Sequence, residues 1–165
     1  MNKKWKLSWN ILAISILIVA QYVLSFFVLK LPGIEAIQWA GWAIWIISLF
    51  LAFAPMVVLR KAGGVSKGES YVHTTKLVDT GLYAVCRHPQ YLSGMLFNLA
   101  LMLLAQHWLI VMIGLASATL IYLDIREADK QGIEKFGEEY QLYMQRVPRA
   151  NFIVGLIRLF KVRRK

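Results

Sequence analysis

The sequence predicts an all-α integral membrane protein with about four transmembrane helices and cytoplasmic amphipathic helices that cap a pocket. Two observations lead to this fold class. Of the 165 residues, 58% are apolar and only 17% are charged, and the mean hydropathy is +0.53. The apolar residues also form long uninterrupted blocks, whereas a soluble domain of this size needs polar residues to cover its surface.

Four apolar blocks predict the membrane spans, at residues 11–29, 36–59, 89–105 and 108–123. At about 1.5 Å per residue the first block is about 28 Å long, close to the thickness of the hydrocarbon core. Pro89 is compatible with the first turn of the third helix, where its missing N–H costs nothing. Only Gln106 and His107 separate the last two blocks, so a tight helical hairpin is expected there.

The distribution of charge predicts the orientation of these spans. With the N-terminus inside, every Lys and Arg except Lys30, and every acidic residue except Glu35, falls on the cytoplasmic side, so both termini are expected to be cytoplasmic. The inside segments then carry the whole net charge of +10. This surface favours anionic membrane lipids over nucleic acid, because its basic residues lie beside membrane spans.

The whole chain, residues 1–165, is interpreted as one membrane domain with a cytoplasmic helical region at residues 124–165. Apolar and aromatic residues among charges predict one or two amphipathic helices over residues 124–146, with Gly132 and Gly137 as weak points. After Pro148, residues 152–160 form a short apolar stretch suited to the membrane interface.

Several classes of site lack support in the sequence. The three histidines lie in separate segments and Cys86 is the single cysteine, so neither zinc spacing nor an internal disulfide occurs. No glycine-rich phosphate loop or dinucleotide fingerprint is present. No metal site is therefore predicted.

Two motifs flank the predicted hairpin. Residues 81–91 read GLYAVCRHPQY, and residues 136–143 read FGEEYQLY, followed by Val147-Pro148-Arg149. Together they resemble the membrane methyltransferase family that includes isoprenylcysteine carboxyl methyltransferases and phospholipid N-methyltransferases. The resemblance covers roughly residues 77–149, almost half the chain.

This resemblance implies methyl transfer from S-adenosylmethionine, bound under the cytoplasmic segments, to a lipophilic acceptor that enters from the bilayer. An isoprenylcysteine carboxyl methyltransferase-like enzyme is the leading interpretation, and a phosphatidylethanolamine N-methyltransferase is the main alternative within the enzyme class. Either Arg87 or His88 would hold the donor carboxylate, aromatic rings would meet its adenine or sulfonium, and an acidic residue would bind its ammonium or ribose. The expected donor-binding residues are Tyr83, His88, Pro89, Tyr91, Glu127, Asp129 and Tyr140.

The acceptor decides the expected catalytic roles of His88, Arg87 and Arg149. A carboxylate, as in a prenylated cysteine, is already ionised and needs only a cation, Arg87 or Arg149, to place it. An amine, as in phosphatidylethanolamine, needs a base, for which His88 is the natural candidate. A non-catalytic four-span protein that stabilises a partner complex or a lipid environment is the alternative from another class, and the sequence leaves the oligomeric state open.

One departure from the family pattern favours that alternative. Where the family generally has adjacent glutamates before the Phe-Gly pair, this chain has Ala128 and Asp129, with Glu127 one place further out. Residues 127 and 129 lie about 200° apart on a helix, so they cannot both face one pocket. Gly132 also stands where leucine is commoner.

Overall fold

The computed structural model describes residues 9–29 and 33–163, with side chains up to residue 161, and within them the secondary structure is entirely helical. The N-terminal lysines, Lys30 and the last two basic residues, which enter the charge prediction, lie outside the described residues. The all-α fold class is thus confirmed for the part of the chain that is described.

The described helices agree closely with the apolar blocks. They are α1 (Trp9–Val23), which continues as a π-helical turn (Leu24–Val28), α2 (Glu35–Ala62), α3 (Pro89–Ala105), α4 (Trp108–Phe136), α5 (Glu138–Arg146) and α6 (Phe152–Arg163). Three segments are long and apolar enough to cross a membrane: Trp9–Val28, α2 and α4; α3 is a shorter apolar helix. Pro89 opens α3 and Gln106, with a φ of 48°, reverses the chain before α4, as predicted.

The chain forms two compact units. The first contains residues 1–46 and 95–124. At one end of this unit Asn10 Nδ2 donates to Asp124 Oδ1 (3.1 Å). Elsewhere in the unit, the side-chain amide of Gln106 makes two hydrogen bonds with the backbone of Ile34. Its Oε1 accepts from Ile34 N (3.0 Å) and its Nε2 donates to Ile34 O (2.9 Å). Between them the buried Gln21 Nε2 lies 3.2 Å from the carbonyl oxygens of Asn98 and Ile110, and so ties α1 to α3 and α4.

The second unit contains residues 47–94 and 125–165, and both motifs belong to it. The buried Ser93 Oγ donates to Ser48 O (2.7 Å), which holds the start of α3 against α2. The segment between α2 and α3 is non-helical except for a 3₁₀ turn at Gly81–Ala84, and the carbonyl of Gly63 accepts bonds from Thr75 and Lys76 within it.

The amphipathic helical region predicted over residues 124–146 contains two glycines, Gly132 and Gly137, and the helix is interrupted only at the second. Residues 124–136 continue α4 without interruption through Gly132. The helix ends at Gly137, whose φ of 59° lies in the left-handed region that favours glycine. Residues 138–146 then form α5, which places its tyrosines on a separate element from Asp129.

Candidate active site around Asp129

Backbone hydrogen bonds align the two motifs side by side. Arg87 N donates to Pro148 O and His88 N donates to Arg149 O, each at 3.1 Å. Helix α5 ends at Arg146, and Val147, the residue before Pro148, is extended, so the non-helical residues that follow are available to pair with the segment that precedes α3. The side chains of Arg87, His88 and Arg149 therefore leave neighbouring stretches of backbone.

The 3₁₀ turn is fastened to α5 by a tyrosine. Tyr143, only 2% exposed, donates its hydroxyl to the carbonyl oxygen of Tyr83 (2.6 Å). Burial raises the pKa of both tyrosines, so each hydroxyl stays protonated and available as a donor. Tyr83, expected to contact the donor, thus meets α5 through its backbone.

Asp129 lies at the centre of a cluster of four side chains. Its Oδ1 accepts hydrogen bonds from His88 Nε2 (2.8 Å) and Tyr140 OH (3.0 Å), and Arg87 Nη1 lies 3.2 Å from the same oxygen. Its Oδ2 accepts from Arg149 Nε at 2.7 Å. We call these five residues the Asp129 cluster. Both sequence motifs and the polar part of α4 contribute to it.

The cluster holds more positive charge than its one carboxylate balances. Arg87 and Arg149 are both cations, and the Arg87 side chain is 6% exposed. Arg87 Nε is buried and has no hydrogen-bond acceptor among the described residues. A buried donor without an acceptor is costly, because it has lost its bond to water. The cluster is therefore chemically suited to receive a further acceptor, above all an anionic one.

The ionisation of Asp129 follows from these contacts. Burial alone raises the pKa of this carboxyl, but the hydrogen bond and charge of His88, the hydrogen bond of Arg149 and the charge of Arg87 outweigh burial and lower the pKa to about 2. The cluster thus contains an ionised carboxylate at neutral pH.

Acid is expected to destabilise the protein through Asp129. Because the pKa of Asp129 is lower in the folded protein than in the unfolded chain, its ionisation favours folding above about pH 4, and that contribution is lost as the pH falls from about 4 toward 2. Denaturant unfolding in detergent across this window measures the loss. In Asp129→Asn the free energy of unfolding should change less with pH over this window. Asp79→Asn, which removes a carboxylate that is 40% exposed, should keep the wild-type dependence on pH. The same dependence in all three proteins would contradict the assignment to Asp129.

Gly132 makes the room in which Tyr140 reaches Asp129. A Cβ atom at position 132 would lie 2.6 Å from Tyr140 Cε2 and 2.7 Å from Cε1. Real carbon contacts are longer, so any side chain at this position would displace the ring. The tyrosine ring therefore lies directly against the backbone of α4, one turn after Asp129.

Gly132→Ala should consequently destabilise the protein by about 1–3 kcal/mol, the range of an overpacked core, although alanine favours a helix. Urea unfolding measures this change, and Tyr140→Ala provides the test of mechanism. In a Tyr140→Ala background, Gly132→Ala should lower the free energy of unfolding only slightly or raise it, because the tyrosine ring that the new methyl group would meet is absent. Equal costs in both backgrounds would exclude contact with the ring as the cause.

The remaining predicted residues divide into two groups. Tyr91 lies edge-on to His88, with ring centroids 5.6 Å apart, and the fully buried Pro89 joins them at the start of α3. Glu127 instead points away: its side chain is 58% exposed and pairs with Lys130. The structure therefore brings Asp129, and not Glu127, to the other predicted residues.

Sequence reasoning missed Tyr143 and Gly132 as organisers of this region. Tyr143 was visible as an aromatic residue one turn after Tyr140, and a glycine inside a helical pattern can indicate a close approach. Cys86, the residue before Arg87, is fully buried, and burial raises its pKa to about 11. It is therefore a protonated thiol at neutral pH.

A cavity of about 350 Å³ lies apart from the Asp129 cluster, at the end of α2. It is formed by the chain's own turn after that helix, where Gly68 has a φ of 90°. Its lining comprises Arg60, Val65, Ser66, Lys67, Gly68 and Glu69. None of the predicted site residues contributes to it.

Comparison with known proteins identifies the family. A family model described as phospholipid methyltransferase matches residues 36–135, which is more than half of the chain. The matched region runs from α2 to the end of α4, and so includes Arg87, His88 and Asp129, whereas Tyr140 and Arg149 follow it. No curated protein matches the sequence. A chain with these apolar helices, this pair of motifs and this match belongs to the phospholipid methyltransferase family of membrane methyltransferases.

Proposed function

We propose that this protein transfers a methyl group from S-adenosylmethionine to a lipophilic acceptor at the cytoplasmic face of the membrane. The observation that carries the proposal is the convergence of three family-matched residues, Arg87, His88 and Asp129, in one buried cluster. A buried ionic cluster has structural uses too. The unfilled hydrogen-bonding capacity of Arg87 favours a ligand site.

The residues present fit the chemistry of this donor. Its carboxylate would supply the acceptor that the buried Arg87 Nε lacks. Asp129 would bind its ammonium or ribose, and the rings of Tyr91 and Tyr140 would meet its adenine or sulfonium. When bound, S-adenosylmethionine supplies an electrophilic methyl group on a positively charged sulfur.

The protein's own residues would orient the methyl donor and the acceptor, and would remove a proton from the acceptor where it carries one. Displacement at a methyl group needs donor and acceptor in line and water excluded, but no covalent enzyme intermediate. Because a carboxylate only accepts hydrogen bonds, His88 Nε2 carries the proton that faces Asp129, and in the neutral ring Nδ1 would be the nitrogen that accepts a proton. Arg149, whose side chain is 35% exposed, is the most accessible cation of the cluster.

These properties suit two acceptors. A prenylated-cysteine carboxylate is already ionised, and Arg149 would attract and place it. A phospholipid amine, such as that of phosphatidylethanolamine, would lose its proton to His88. The description of the matched family favours the phospholipid.

Radiolabelled methyl transfer tests donor and acceptor together. The full chain in detergent is incubated with labelled S-adenosylmethionine and, in parallel, with a phospholipid extract or a prenylated-cysteine analogue. Label that becomes extractable with one acceptor identifies it. If calorimetry finds no donor binding by folded protein, the proposal fails and the non-catalytic reading, in which the Ala128 departure marks a relic site, is favoured.

The topology is also a prediction. Asn10, near the start of the first apolar helix, contacts Asp124, at the end of the apolar part of α4, which supports an even number of crossings between them. With four spans and a cytoplasmic N-terminus, cysteines in place of the exposed Ser70 and Gln141 should react from the cytoplasmic side, and one in place of Trp108 from the other. The buried Cys86 gives little background. Labelling of Ser70→Cys from the outer side would refute this arrangement.

A further inference from the structure

Helix α6 has an apolar face that no other described element covers. Ile153, Ile157 and Phe160 recur at helical spacing and are 72%, 50% and 59% exposed. Gly155, on the opposite side of the helix, is buried. A helix with this division packs by one side and presents a hydrophobic strip on the other.

The packed side of α6 fixes where this strip lies in its unit. A Cβ atom at Gly155 would lie 2.7 Å from the carbonyl carbon of Val85, so the two backbones are in direct contact. Val85 is followed by Cys86 and Arg87, and the apolar helix α3 begins at Pro89. Helix α6 therefore lies near the first turn of the apolar helix α3, and a helix that is predicted to cross a membrane begins near the membrane surface.

The charges on α6 match an anionic surface. The helix contains no acidic residue, and the exposed Arg158 and Lys161 each follow a residue of the apolar strip. Arg158 also reaches the carbonyl oxygen of Gln145 at 3.5 Å. Basic residues beside an apolar strip are typical of helices that lie in the interface and bind anionic lipid headgroups.

We propose that α6 docks on the anionic lipid surface of the membrane that the chain spans. Ile153, Ile157 and Phe160 enter the boundary between headgroups and acyl chains, and Arg158 and Lys161 bind lipid phosphates. This docking does not depend on the proposed methyl transfer.

Spin labels test the depth of the strip. Ile157→Cys is labelled in the full chain and reconstituted in nanodiscs of phosphatidylcholine, with or without phosphatidylglycerol, and accessibility to oxygen and to a water-soluble nickel chelate is measured. We expect oxygen to dominate at position 157, more strongly with phosphatidylglycerol. The same label at the exposed Gln141 on α5 is the control and should favour the nickel chelate. Nickel access at both positions, or spin–spin broadening from a second copy at position 157, would overturn the proposal.

Charge removal tests the lipid preference. In the labelled protein, Arg158→Gln with Lys161→Gln should abolish the deepening that phosphatidylglycerol causes. The control pair, Lys67→Gln with Lys76→Gln, removes the same amount of charge from exposed lysines of the loop between α2 and α3. This pair should leave the deepening of the label at position 157 unchanged. Equal effects of both pairs would assign the preference to net charge alone and would refute a specific role of α6.

Discussion

Asp129→Ala is expected to lower the free energy of unfolding by about 3–5 kcal/mol, the usual cost of removing one partner of a buried ion pair. The carboxylate has 5% exposure and contacts Arg87, His88, Arg149 and Tyr140. Without it, Arg87 remains buried with no negative partner in the described cluster. Urea unfolding in a fixed detergent measures the change.

Asp79→Ala is the matched control, since it removes a carboxylate that pairs with Arg146, whose side chain is 64% exposed. An exposed pair of this kind contributes at most about 1 kcal/mol. Asp129→Leu separates charge from packing, because it fills the space without restoring the ion pair. If Asp129→Ala were no more destabilising than Asp79→Ala, the cluster would have no structural role.

His88→Ala is expected to weaken the binding of S-adenosylmethionine by about tenfold or more while the protein still inserts and folds. The substitution removes a hydrogen bond that orients Asp129 and the ring against which Tyr91 packs, and a single charge-assisted bond of this type corresponds to about a tenfold change. Tyr91→Ala should act in the same direction. Calorimetric titration of the detergent-solubilised protein gives both affinities.

His73→Ala provides the comparison, because His73 is an exposed histidine that pairs with Glu69 outside the Asp129 cluster. Its donor affinity should equal that of the wild type. Normal affinity in both His88→Ala and Tyr91→Ala would remove these residues from the donor site. A proton-transfer role of His88 would give a separate signal. With an amine acceptor, the turnover of His88→Ala would stay low even when S-adenosylmethionine is saturating.

The helices were largely predictable because membrane helices are specified locally. Apolar block length and the pair Gln106–His107 predicted the helical segments and the hairpin, and the structure has α3 ending at Ala105 and α4 beginning at Trp108. The end of α4 was less predictable. Gly137, with a positive φ of 59°, interrupts the helix, whereas Gly132 stays within it, and the sequence pattern alone does not distinguish these two glycines.

The candidate site was predictable only as a set of residues. Helical geometry excluded Glu127 and Asp129 from facing one pocket together, but it did not choose between them. Burial decides: Asp129 meets two cations, whereas Glu127 remains in solvent beside Lys130. The apparent weak point Gly132 proved to be the space that Tyr140 occupies.

By itself, the amino-acid order determined where the chain is apolar, which ends of the helices carry charge and which two short segments contain the candidate site residues. Each of these is a property of consecutive residues. The tertiary structure alone decided that the backbone of Arg87 and His88 pairs with that of Pro148 and Arg149, and that one carboxylate gathers their side chains. Such contacts join residues far apart in the chain, and their energies depend on burial and distance, which no local pattern contains.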